Sequence, residues 1–122
     1  MLPQPISKQA INKGTDFQYS GSELNSIIEG VEHFFINKGY RLESGEPGNG
    51  TYGRGNNLLR IFFGAFAKRY AFSVKVTKSH DQSSVILRIE KGISGAMGGA
   101  IGYSKMKKEY NAIINQLSAG IS

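Results

Sequence analysis

Gly98, Gly99 and Gly102 stand just ahead of Lys105, Lys107 and Lys108, and residues of these types at this spacing can hold an anion. Glycines let backbone amides converge, and amides at the start of a helix already favour negative charge. Lysines near a helix N-terminus oppose its dipole by some tenths of a kcal/mol each, roughly, and a bound anion would turn that cost into attraction. The six residues are therefore a candidate phosphate or carboxylate site. No Gly-Lys-Ser/Thr follows at P-loop spacing, and the glycines do not fit the dinucleotide fingerprint. Two plainer readings compete. The segment can be a tight crossover, or the last helix can extend back through it, since Gly95/Gly99 and Gly98/Gly102 sit four apart and permit close packing.

The lysines belong to a larger imbalance. Residues 54–108 hold eleven Lys and Arg against only Asp81 and Glu90, while residues 1–53 hold four bases against six acids. A local excess of this kind attracts phosphates and anionic head groups. Arg60, Lys68, Arg69, Lys75 and Arg88 are the expected basic surface, and its expected partner is nucleic acid or an anionic membrane surface, with a protein partner also open. Readers of single strands usually add aromatic platforms. The outward hairpin positions Ser73, Lys75, Thr77, Arg88 and Glu90 carry none, and Tyr52 is the one nearby aromatic in a loop-like setting. Diffuse backbone binding is the expectation. Phe62, Phe63 and Phe66, flanked by Arg60, Lys68 and Arg69, would suit a helix lying in a membrane interface if exposed. A domain this small needs its aromatics inside, so a core element is the preferred reading.

Catalysis has little to stand on. His33 and His80 fall in unrelated elements with no carboxylate at a telling spacing, and both read as solvated. Glu29 and Glu32 lie one turn apart without a histidine ligand, which reads as a solvated helix face. With no Cys, no thiolate nucleophile or metal site exists. The expectation is a non-enzymatic binding or accessory domain without metal or cofactor. The alternative is a small-ligand binder with an apolar pocket, its charge serving solubility. Absence of Cys, an N-terminus unlike a signal peptide, and no run of about 18 apolar residues point to the cytoplasm.

The elements that must position these residues follow from periodicity. Residues 1–18 are polar with two prolines and read as a mobile arm, ahead of a single domain over 19–119. Ser20 and Glu23 suit a capping box, and Tyr19 and Leu24 a hydrophobic staple. Leu24, Ile27, Ile28, Val31, Phe34 and Phe35 then recur at helical spacing, and Lys38-Gly39 closes a helix of about 20–38. Tyr40 and Leu42 start a short strand, residues 45–50 are a turn, and Thr51-Tyr52 opens another strand. Residues 58–67 fit a short helix best, with a strand still open. Tyr70–Thr77 and Ser84–Glu90 alternate as a hairpin around a polar turn at 79–83. Tyr103, Met106, Tyr110, Ile113, Ile114 and Leu117 line a last helix of about 103–118. The order predicts an α+β fold: an antiparallel sheet with the two long helices packed on one face.

Overall fold

Alternation along the strands builds most of this molecule. The computed structural model describes residues 2–21, 23–55, 69–91 and 99–120, with the backbone alone for 55, 69–70 and 99–106. The strands are β1 (Ser7–Ala10), β2 (Gly14–Ser20), β3 (Arg41–Glu46), β4 (Asn49–Gly55), β5 (Arg69–Lys78) and β6 (Ser84–Lys91). Helix α1 (Leu24–Asn37) links β2 to β3, and α2 (Gly99–Ala119) follows β6. All six strands join one antiparallel sheet in the order β1-β2-β6-β5-β4-β3. The fold is α+β, and the buried side chains of strands and helices form one core.

The first strands overturn the expectation of a mobile arm over residues 1–18. Thr15, Phe17 and Tyr19 face inward in β2, opposite Ile89, Leu87 and Val85 of β6. Asp16 and Gln18 stand between them on the other side, a period-two pattern that the surrounding polar composition conceals. Phe17 is wholly buried, and β1 extends the sheet beyond β2.

The capping box also fails. Ser20 ends β2, Gly21 turns the chain with φ 63°, and α1 starts at Leu24 with Glu23 as an N-cap that makes no side-chain cap bond. Tyr19 is held by its pairing with Val85, so the chain is still strand where the box would need it to be a cap. The other end of α1 agrees with its sequence signal. The Tyr40 amide donates to the Phe35 carbonyl at 2.9 Å and the Gly39 amide to the Ile36 carbonyl at 3.0 Å, with Gly39 at φ 89°. That is a Schellman close, and the accompanying apolar contact is Phe35 against Tyr40, rings edge-on at 5.3 Å.

Residues 45–50, expected to be a turn, are mostly strand. Only Pro47-Gly48 turns, between the paired residues Glu46 and Asn49. Proline followed by glycine at φ 87° fits a type II turn. The β5–β6 hairpin and its turn at 79–83 lie where alternation places them. Helix α2 begins at Gly99, four residues before the expected start, so Gly99 and Gly102 are helical. The expected short helix near 58–67 lies outside the described residues.

Aromatic rings dominate the inner layer. Phe35 stacks on Tyr52 at 5.0 Å and 13°, and Phe72 on Tyr110 at 6.2 Å and 28°. Burying rings of this size at about 25 cal/mol per Å² makes each a major contributor to stability. The Tyr52 hydroxyl donates to the Glu32 carboxylate, which ties α1 to β4. Glu32 is thus a structural acceptor, where the sequence suggested a solvated face. Lys38 joins the helices: its Nζ donates to Gln116 Oε1 at 3.1 Å, pairs with Glu109 at 3.8 Å and lies 5.8 Å from the centre of the Phe34 ring.

Candidate functional site

Antiparallel register decides which charged residues become neighbours. At one end of the sheet β3 starts, β4 ends, β5 starts and β6 ends, and the β1–β2 turn reaches the same level. Each of these five places carries a base. Arg41 is the first residue of β3, opposite Gly53. Arg54 precedes the last residue of β4, and Arg69 opens β5 opposite Gly55. Lys91 closes β6 opposite Phe72, and its amide donates to the Lys13 carbonyl at 3.2 Å. In space the order is Lys13, Lys91, Arg69, Arg54, Arg41 across adjacent strands. With strands about 4.8 Å apart, the row is about 19 Å long.

The row is anchored from beneath. Lys91 Nζ lies 5.0 Å from the centre of the Tyr110 ring. The Tyr110 hydroxyl and Thr15 Oγ1 share a buried hydrogen bond of 2.6 Å. Burial pushes the Tyr110 phenol upward from its ordinary pKa, partly countered by that bond. Arg54 rests over the close of α1: a Cβ on Gly39 would lie 3.7 Å from Arg54 Nε. A cation at this place also complements the C-terminal end of the helix dipole.

Four of these bases make no ion pair with a described acid, although acids stand near them. All nine acids lie among the described residues. Among those residues none forms an ion pair with Lys13, Arg41, Arg54 or Lys91. Glu90 directly precedes Lys91 and pairs with Gly14, and the carboxylate of Glu43, at a bulge in β3, occupies the space that a Cβ on Gly53 would need. Toward the opposite end lie Glu23 ahead of α1, Glu46 before the Pro47-Gly48 turn and Asp81 in the β5–β6 turn. Ser79 and Ser83 hydrogen-bond the Asp81 carboxylate and hold its pKa down at about 2.

The expected basic surface is divided by this geometry. Lys75 and Arg88 are exposed partners across β5 and β6, in a row that reads Asp16, Arg88, Lys75, Asn49, Glu46. Arg88 donates to both Asp16 oxygens, at 2.8 and 3.0 Å. Arg69 stands six residues before Lys75 on the same strand, about 20 Å away at some 3.4 Å per residue. Arg60 and Lys68 lie outside the described residues, in the connection whose two ends, Gly55 and Arg69, face each other at the basic end. Gly98 also lies outside them. Gly99, Gly102 and Lys105 are placed within α2, and Lys107 and Lys108 are exposed on it. The lysines thus begin in the second turn of α2, beyond the first turn where the helix dipole acts most. Tyr52 is no loop platform, because it is wholly buried against Phe35.

Lys13 and Arg41 escaped the sequence reading. They come from the first 53 residues, whose net charge is acidic, and only register carries them to the basic end. The available signal was position: Arg41 begins an alternating segment, and hairpin parity sends its start to the same end as the close of the next strand. His33 and His80 are exposed and far apart in the fold. Among the described residues no group of three His, Asp or Glu side chains converges, and no helix is long and apolar enough to cross a membrane. No family model, curated protein or solved structure matches the chain.

Proposed function

We propose that this chain is a non-catalytic binding module that docks an anionic partner through the basic end of its sheet. The observation that carries the reading is the row Lys13, Lys91, Arg69, Arg54 and Arg41, one base on each of five neighbouring strands or turns. Bases in excess at one end of the sheet create a local positive potential that raises encounter rates with a polyanion. In this reading both long helices pack on one sheet face, and the other carries the Arg88–Asp16 pair. The helices support this role by fixing the strand ends: α1 closes beneath Arg54, and α2 supplies Tyr110 beneath Lys91. A cytoplasmic place of action fits a chain without cysteine.

The test compares two double variants of equal charge change. Arg41→Glu with Arg54→Glu alters the basic end, and Lys75→Glu with Lys78→Glu alters the sheet face and its far edge. On a heparin column the first variant should elute at clearly lower salt than the second. Equal shifts would mean that net charge alone sets retention, and the reading would fall.

A further inference from the structure

Strand β1 lies in the sheet without burying a residue. All four of its side chains are exposed, on both faces, although it pairs with β2 along its whole length. Lys8 and Ala10 stand opposite Phe17 and Thr15, and only the β2 member of each pair is buried. β1 therefore keeps its place by backbone hydrogen bonds and adds little apolar burial of its own.

The firm hold lies further back. Leu2 is 2% exposed and belongs to the core. Next to it, Pro3 and Gln4 press on the close of α2: a Cβ on Gly120 would come 3.0 Å from the Gln4 amide nitrogen. Residues 2–10 thus form an arm, with an apolar anchor at one end and a connection to β2 at the other.

That connection matches the strands poorly. The Ile11 amide donates to the Gly14 carbonyl at 2.9 Å, which leaves Asn12 and Lys13 to turn the chain. Two-residue hairpin turns that follow the strand twist have positive φ at one or both central residues, and types without it splay the strands. Neither Asn12 nor Lys13 has a positive φ. The Lys91 amide donates to the Lys13 carbonyl at 3.2 Å and keeps Lys13 in line with β2, so the bend falls on Ile11 and Asn12.

We infer that the arm exchanges between two copies of this chain, each β1 pairing with β2 of the other copy and each Leu2 entering the other core. Every contact of the arm is kept in the exchange, so the balance between closed monomer and exchanged dimer turns on the connection alone. In the dimer residues 10–14 run straight and the splayed turn is gone. Closure within one chain acts as an effective concentration of roughly millimolar order for a short connection, so exchange belongs to concentrated protein. The two basic ends meet about the twofold axis, and the dimer forms best where salt screens them.

A chain without cysteine allows a direct test. Ser7 and Gln18 are partners across β1 and β2, and the Ser7 hydroxyl donates to Gln18 Oε1 at 3.0 Å. Equal amounts of the Ser7→Cys and Gln18→Cys proteins are unfolded, refolded together at about 1 mM in high salt and oxidised. The expected product is a dimer whose disulfide joins position 7 of one copy to position 18 of the other. Such links should exceed 7–7 and 18–18 links each by at least about fivefold, against about twofold for chance pairing. Lys13→Gly creates the Asn-Gly pair of a type I′ turn and, placed in both proteins, should lower the dimer fraction at least about threefold. Light scattering on the unaltered chain over the same concentrations should show the dimer growing. A monomer at every concentration overturns the inference. An excess of 7–7 links overturns it too, since that marks two β1 edges paired side by side. A dimer that Lys13→Gly leaves unchanged removes the connection as its cause and overturns it as well.

Discussion

Arg88 and Arg54 are the same residue type in the same sheet, yet they have opposite surroundings. Arg88 sits mid-strand with Asp16 across from it, two hydrogen bonds to its carboxylate, and Lys75 and Asn49 continuing the row. Arg54 sits near a strand end over Gly39 with no acid paired to it among the described residues. Antiparallel pairing makes this difference. A mid-strand base meets whatever the neighbouring strands hold at the same level, here an aspartate. A strand-end base meets other strand ends, here Lys91, Arg69 and Arg41. In the proposed reading, charge at this end of the sheet serves docking and charge across its face serves solubility.

The two regions rest on one inner layer, and the largest effect expected comes from removing part of it. Phe72 faces the core in register with Lys91 and stacks on Tyr110. Phe72→Ala should cost about 3–5 kcal/mol in denaturant unfolding. A loss below about 1 kcal/mol would mean that the basic end is not built on this core.

An unpaired polar group is tolerated at the surface and penalised inside, and Tyr19 sharpens that contrast. Its hydroxyl is buried without a hydrogen-bond partner among the described residues, and desolvation pushes its pKa up to about 12. Between its ordinary value of 10.0 and about 12 the folded state keeps a proton that the unfolded state has lost. Stability must then fall as pH rises through that window, by roughly 1.4 kcal/mol per unit of pKa difference. Tyr19→Phe should raise stability near pH 7 by about 1 kcal/mol and flatten the alkaline decline. Parallel alkaline curves for the two proteins would contradict this.

The comparison itself is open to a double-mutant cycle. Asp16 and Arg88, partly exposed, should couple by about 0.5–1 kcal/mol. Arg54→Ala should change stability by less than about 0.5 kcal/mol, since no paired charge is lost. A larger stability cost at Arg54 than at Arg88 would reverse the distinction between the regions.

The smallest effect belongs to the far end. Asp81 is held ionised by Ser79 and Ser83, so its stabilising contribution is complete above its ordinary pKa of 3.8 and lost as pH falls toward about 2. Asp81→Asn should remove that part of the acid dependence while leaving polyanion binding unchanged, and altered binding would contradict the assignment of the site to the opposite end.

How legible this was depends on which physical signal each part left in the chain. The β5–β6 hairpin could be read because Phe72, Val74 and Val76 alternate cleanly with polar residues. The C-terminal half of α2 followed from Tyr110, Ile113, Ile114 and Leu117 at helical spacing. Strand β2 was hidden because only Phe17 and Tyr19 mark its inward face, and its third inward residue is Thr15, whose hydroxyl is satisfied by Tyr110. The start of α2 was hidden because Gly99 and Gly102 carry no helical signal of their own. The basic end was half legible. Counting charge along the chain found Arg69, Lys75 and Arg88 but grouped residues that the fold separates. It missed Lys13 and Arg41, because proximity across a sheet is set by register and no count along the chain contains it.

The most direct test locates the contact. Amide NMR spectra of the labelled protein should be followed at low salt while inorganic polyphosphate is added. The account predicts shifts concentrated at Lys13, Arg41, Arg54 and Lys91 and their neighbours, with the amides of Lys75 and Arg88 unmoved. Shifts centred on Lys75 and Arg88, or spread evenly over all exposed bases, would contradict it.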